Sequence, residues 1–213
     1  MPQRPSRTLA EALARRYRAL DLTRRNIERL FDNGHISLRA AEQMYEGLFL
    51  SAFTAFETFI EELFVGLLVT DAGLYCQAID VVPRLTVRSH AVAREMVIGA
   101  GRNYVDWLPY ERTEERAELF FRGGRPFTAL RGTAMAAGRS VLQRGAVLRN
   151  AIAHKSRYSL TRFERDVIRG TPLTSVERKP AGFLRGIAAA VPAQTRYETY
   201  ATAILTVART IAA

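Results

Sequence analysis

The stretch Leu48-Phe49-Leu50-Ser51-Ala52-Phe53-Thr54-Ala55-Phe56-Glu57-Thr58-Phe59-Ile60-Glu61-Glu62-Leu63-Phe64 decides the fold class. Leu48, Phe49, Ala52, Phe53, Phe56, Phe59, Ile60, Leu63 and Phe64 cover well over half the circumference of a helix. A helix that is apolar over so wide an arc has to be surrounded, either inside a bundle or by a bundle plus a second subunit. The wider apolar run, Gly47 to Val69, carries Glu57, Glu61 and Glu62, which argues for a buried core helix and against a membrane span.

Helical periodicity continues on both sides. Residues 38–69 are expected to form this central helix, with Ser37 as its N-cap after the stop signal Asp32-Asn33-Gly34. Upstream, Leu9, Leu13, Tyr17, Leu20, Ile27 and Phe31 recur at helical spacing, which predicts an amphipathic N-terminal helix over 7–32 packed on the bundle. Its other face holds Arg15, Arg16, Arg18, Arg24, Arg25 and Arg29, read as a solvated face or an RNA track. Downstream, a break around Asp71–Pro83 precedes a helix over 86–99. Further helices are expected over Glu111–Phe121, 128–156, Leu160–Arg169 and 194–212, with a loop over Gly170–Pro180. The last helix should bury Tyr197, Tyr200, Ile204, Leu205, Ala208 and Ile211. No alternating strand pattern, repeat period or low-complexity tract stands out. The expectation is an all-α, single-domain helical bundle over residues 1–213, a length that suits one well-cored domain and is short for two.

With 31 basic against 21 acidic residues, the formal net charge is +10, which favours an anionic partner. Only Lys155 and Lys179 among the basic residues are lysines, a skew that a GC-rich genome would also produce. The single cysteine, Cys76, excludes an internal disulfide and a cysteine-based metal cluster, and fits a reducing cytoplasm. The N-terminal residues show no secretory signal. No cofactor is indicated, and His35, His90 and His154, the only histidines, lack zinc-ligand spacing. His35 reads as a turn residue, His90 as a surface or capping residue, and Gly123-Gly124 as a helix stop.

The chemistry-bearing segment is Arg149-Asn150-Ala151-Ile152-Ala153-His154, followed by Lys155 and Ser156. Asn150 and His154 are four residues apart and share one helix face, which Tyr158 would continue if the helix ran so far. Arg149 lies about 140° around the axis, yet its long side chain reaches the same groove. Val147, Leu148, Ala151 and Ile152 anchor the other side. A plain structural role is open, since basic residues at a helix C-terminus are favoured by the dipole. The chemical role is phosphodiester cleavage. His154 would remove the proton of an RNA 2′-hydroxyl, and Arg149 would stabilise the charge growing on the phosphoryl oxygens.

Arg149-Asn150-Ala151-Ile152-Ala153-His154-Lys155-Ser156 resembles the R-x(4–6)-H signature of the HEPN superfamily (higher eukaryotes and prokaryotes nucleotide-binding domains). Leu160–Glu164 and Glu46–Glu57 are also similar to that superfamily, in particular to its RiboL-PSP type from prokaryotic defence and toxin settings. The resemblance implies a four- or five-helix core with extra helices. It further implies a homodimer whose two signatures face each other across a cleft, and metal-independent endoribonuclease activity. By that likeness Arg149 and His154 are the catalytic pair and Asn150 is the polar residue beside it; around them, Lys155, Arg157 and Tyr158 are read as substrate-binding, and Glu57 and Ser51, on the apolar helix, as supporting residues. RNA is the implied partner, with an antitoxin or regulatory protein as a second. Members controlled by a nucleotidyltransferase antitoxin often carry a modified tyrosine two residues after the histidine, where this chain has Ser156. A non-catalytic RNA- or nucleotide-binding module, or a structural helical interaction protein, are the competing readings.

Overall fold

A computed structural model describes residues 6–69, 81–99 and 104–213. Helix accounts for 74% of it, so the fold class is all-α, as the periodicity predicts. The helices are α1 (Ser6–Asp32), α2 (Leu38–Leu67), α3 (His90–Ile98), α4 (Tyr110–Phe120), α5 (Ala136–His154), α6 (Arg157–Phe163), α7 (Pro180–Arg185) and α8 (Arg196–Ala212). Ser37 caps α2 as expected, its Oγ accepting from the Ala40 N–H at 3.2 Å. His35 sits exposed in the turn before it, and His90 opens α3 behind the true cap, Ser89. Cys76 and most of the expected break at 71–83 lie outside the described residues.

Three expectations are corrected. The helix read over 128–156 begins only at Ala136. Its first part is two 3-10 turns, Phe127–Arg131 and Thr133–Met135, separated by Gly132 in an extended conformation that interrupts the α-helical path. The helix read over Leu160–Arg169 starts earlier, because Ser156 caps it, and closes with a π-turn over Glu164–Ile168. A two-stranded antiparallel sheet, β1 (Ile187–Ala190) and β2 (Ala193–Thr195), was not expected at all. Its strands are short and rich in alanine, so they carry no alternation to read.

The chain divides into two compact units. The first takes Met1–Ala14, Phe56–Ser140 and Leu205–Ala213. Its core is aromatic: Phe64 packs on Trp107, Phe121 and Phe127 with ring centroids 5.2, 5.0 and 4.9 Å away. The Trp107 indole donates to Glu61 at 3.3 Å, and Glu61 also pairs with Arg94 at 2.8 Å. Glu114 is buried and receives Arg139 at 2.6 Å and Arg131 at 3.3 Å. The Ser6 hydroxyl ties the start of α1 to the end of α8 through the Ala212 carbonyl, 2.8 Å away.

The second unit takes Arg15–Ala55 and Val141–Ile204. Phe49 packs on Phe53 at 4.7 Å and edge-on against Tyr200 at 5.5 Å. The Tyr17 hydroxyl donates to the Ala52 carbonyl at 2.8 Å. Glycine is required at position 145, where a Cβ would run into the Phe53 ring. α5 and α2 therefore approach closely here, and this contact sets where the end of α5 emerges. A capping box starts α8: Glu198 accepts from the Thr195 N–H at 2.8 Å, and Thr195 Oγ1 accepts from the Glu198 N–H at 3.3 Å.

All nine residues of the apolar arc, from Leu48 to Phe64, are buried within the single chain. Of the two covers the sequence allowed for α2, the bundle alone suffices. The arginine face of α1 needs one correction. Arg15, Arg16, Arg18, Arg25 and Arg29 are exposed, but Arg24 is buried. It bonds Asp21 at 2.9 Å and Glu198 at 2.7 Å, and so it belongs to the interior of the unit.

Candidate functional site

α5 buries Leu142, Ala146, Leu148, Ala151 and Ile152, so its last two turns are held by their apolar side. The opposite side carries the signature. Asn150 and His154 are exposed, and Arg149 is half-buried with its Nη1 donating to Asn150 Oδ1 at 3.2 Å. His154 makes no hydrogen bond or ion pair among the described residues. The imidazole is thus presented to solvent beside an arginine–amide pair.

The helix stops abruptly after His154. Lys155 takes a left-handed conformation, with φ 48°, and its N–H still donates to the Ala151 carbonyl at 3.1 Å. A non-glycine residue there costs roughly 1 kcal/mol. The lysine is held by its side chain, whose Nζ lies 2.7 Å from Glu46 Oε2 on α2. Ser156 then caps α6, its Oγ accepting from the Ser159 N–H at 3.2 Å. The condition on Tyr158 is not met: the helix does not run so far, and Tyr158 belongs to the next one. It is 73% exposed there, and Arg157 beside it is exposed too.

The supporting residues fare differently. Ser51 is half-buried on α2 within the second unit, the unit that holds the signature. Glu57 is half-buried and belongs to the first unit. The carboxylate that reaches the signature end is Glu46, one of the residues that carry the family resemblance. Its pairing with Lys155 spans 109 residues and has no local spacing that could announce it. Sequence reasoning also passed over Arg162, Arg165 and Asp166, although Arg162 and Asp166 stand at the i,i+4 distance of a helical ion pair.

A cleft of about 510 Å³ opens in the same unit. Arg24, Glu28, Asp32, Glu42, Glu177, Arg185 and Glu198 line it, together with Leu38, Val176 and Ile187, and no signature residue does. Arg185 grips Glu28 in a fork, at 2.9 Å through both Nε and Nη2, and lies 4.0 Å above the Phe31 ring. Burial raises the Glu28 pKa most strongly of any one cause, but Arg185, Tyr45 and the Arg24 charge together outweigh it and hold the carboxyl below its ordinary value. Arg196 bonds Glu177 at 2.7 Å and, with Thr174, holds that carboxyl down to about 2. An acid-rich surface of this kind repels phosphate.

Among the described residues, no group of three or more His, Cys, Asp or Glu side chains could hold a metal ion. No described helix is long and apolar enough to cross a membrane. No family model, curated protein or solved structure matches the chain.

Proposed function

We propose that the chain is a HEPN-type endoribonuclease, cutting RNA by attack of the 2′-hydroxyl on its own phosphate. The observation that carries the reading is the end of α5. There an exposed imidazole, His154, stands one turn from Asn150, which Arg149 holds at 3.2 Å, on a helix whose other side is buried. His154 would act as general base on the 2′-hydroxyl. Arg149 would bind the phosphate and stabilise its developing charge, as a guanidinium does better than an ammonium. Each chain brings one histidine to this surface. The leaving 5′-oxygen also needs a proton, so a second copy of the signature, facing the first in a homodimer, would supply the acid. A toxin or antiviral-defence role, with an antitoxin or regulatory protein as partner, follows from the resemblance.

The test is RNA cleavage in EDTA by the wild type and by His154→Ala. Fragments ending in 2′,3′-cyclic phosphate from the wild type alone support the reading. Tight RNA binding, weakened by Arg149→Ala and indifferent to His154→Ala, with no fragments from either protein, favours the binding module. If either change moves only melting or self-association, the signature is structural.

A further inference from the structure

Beyond the signature, α6 and its π-turn carry basic and aromatic groups that the cleavage chemistry does not use. Tyr158, Arg162 and Arg165 follow one another at steps of four and three, which places them on one side of the helix. Tyr158 is 73% exposed, so its ring is open to a flat ligand. Arg165 bonds Asp166 through both Nε, at 2.5 Å, and Nη2, at 3.0 Å. Arg162 reaches the same carboxylate at 3.3 Å. One carboxylate therefore orients two guanidiniums. The Nη groups of Arg162 and the Nη1 of Arg165 engage no partner among the described residues. Across 157–169, Arg157, Arg162, Arg165 and Arg169 stand against Glu164 and Asp166, leaving a net positive strip. A π-turn, such as that over Glu164–Ile168, is rare in helices and recurs at functional sites.

We infer that this face is a single-stranded RNA track leading away from the signature, with Tyr158 stacking an unpaired base and Arg162 and Arg165 holding the phosphates beside it. The inference rests on the proposed reading of the chain as RNA-directed and adds to it the class of RNA: unpaired strand. Aromatic stacking combined with oriented cations is how proteins hold single strands without reading their sequence. The prior orientation by Asp166 lowers the ordering cost of each phosphate contact. In a duplex the bases are paired and stacked, so Tyr158 would have nothing to hold.

The experiment measures binding of a labelled single-stranded RNA of roughly 15 nucleotides, 2′-O-methylated so that it cannot be cut, against the duplex of the same sequence. Tyr158→Ala is expected to weaken single-strand binding about 5- to 100-fold, with Tyr158→Phe close to wild type and duplex binding unchanged. Arg165→Ala is expected to weaken binding and to lower the salt slope by about one. Single-strand binding unchanged in both Tyr158→Ala and Arg165→Ala overturns the track, as does a Tyr158→Ala loss that is equal for duplex. Cleavage of unmodified RNA is followed in parallel. If Tyr158→Ala weakens binding while no protein cleaves, the track stands and the endoribonuclease reading falls. If His154→Ala abolishes cleavage while Tyr158 and Arg165 prove indifferent for binding, the reading stands and the track falls.

Discussion

The signature end of α5 and the acid-rich cleft both belong to the second unit, yet the first presents an imidazole to solvent and the second locks its charges to one another. In the cleft, Arg185 is committed to Glu28 through a fork and Arg24 to Glu198 and Asp21. Glu177 receives Arg196 together with the Thr174 N–H and hydroxyl. Such interlocked pairs hold elements together and leave little with which to greet a ligand. At the signature, Arg149 donates to the Asn150 side-chain oxygen and the His154 imidazole faces solvent. Arginine is abundant throughout this chain, so its presence signals nothing by itself; what sets the signature apart is the exposed imidazole beside it.

The comparison can be broken most decisively at His154. His154→Ala should reduce RNA cleavage by about 10²–10⁴-fold, the usual worth of a general base, and leave the melting temperature where it was. A large fall in melting temperature would make the histidine a structural residue like those of the cleft. The reverse is expected of Arg24→Ala. It strips Glu198 and Asp21 of a buried partner and should cost about 2 kcal/mol of stability, read from urea unfolding, with no specific effect on cleavage by the fraction that stays folded.

Acid should also tell the regions apart. Glu177 titrates at about 2 in the folded chain against an ordinary 4.5. Its folded value is depressed, so its contribution to stability is complete above pH 4.5 and is lost as pH falls from there towards 2. The stability difference between the wild type and Glu177→Gln should therefore shrink across that window in melting curves taken stepwise in pH. The smallest effect is expected at Lys155→Ala. The lysine end of its ion pair with Glu46 is largely exposed, and its loss should move stability by about 1 kcal/mol or less.

Much of the fold was legible because α2 announces itself. An arc of phenylalanines and leucines wide enough to need covering on nearly all sides leaves few architectures open, and the long helices α1, α2 and α8 follow the expected spans closely. The parts that escaped are those in which local signals are weak or contradictory. Helix formers such as Ala189 and Ala190 lie in a strand because β2 pairs with them. Residues 128–135 read as helix because nothing in their composition forbids it, yet Gly132 and the two 3-10 turns interrupt it. The signature was visible as a motif closing a helix read to residue 156, two residues past its end at His154, but the way the helix stops was not. Lys155 has no propensity for a left-handed turn, and its partner Glu46 lies on another helix. Nor could the burial of Arg24 be read from α1 alone, since Glu198 is 174 residues away.

The burial of α2 within its own chain bears on dilution. A subunit whose core were completed by its partner would unfold as it dissociated, and its melting temperature would climb with protein concentration. Here every large residue of that helix's apolar arc is already covered by the same polypeptide. A dimer of such chains would be an association of finished bodies. Cleavage could then switch off on dilution, with melting temperature and helical circular dichroism unchanged, which would let the amount of protein in a cell act as the control on its activity.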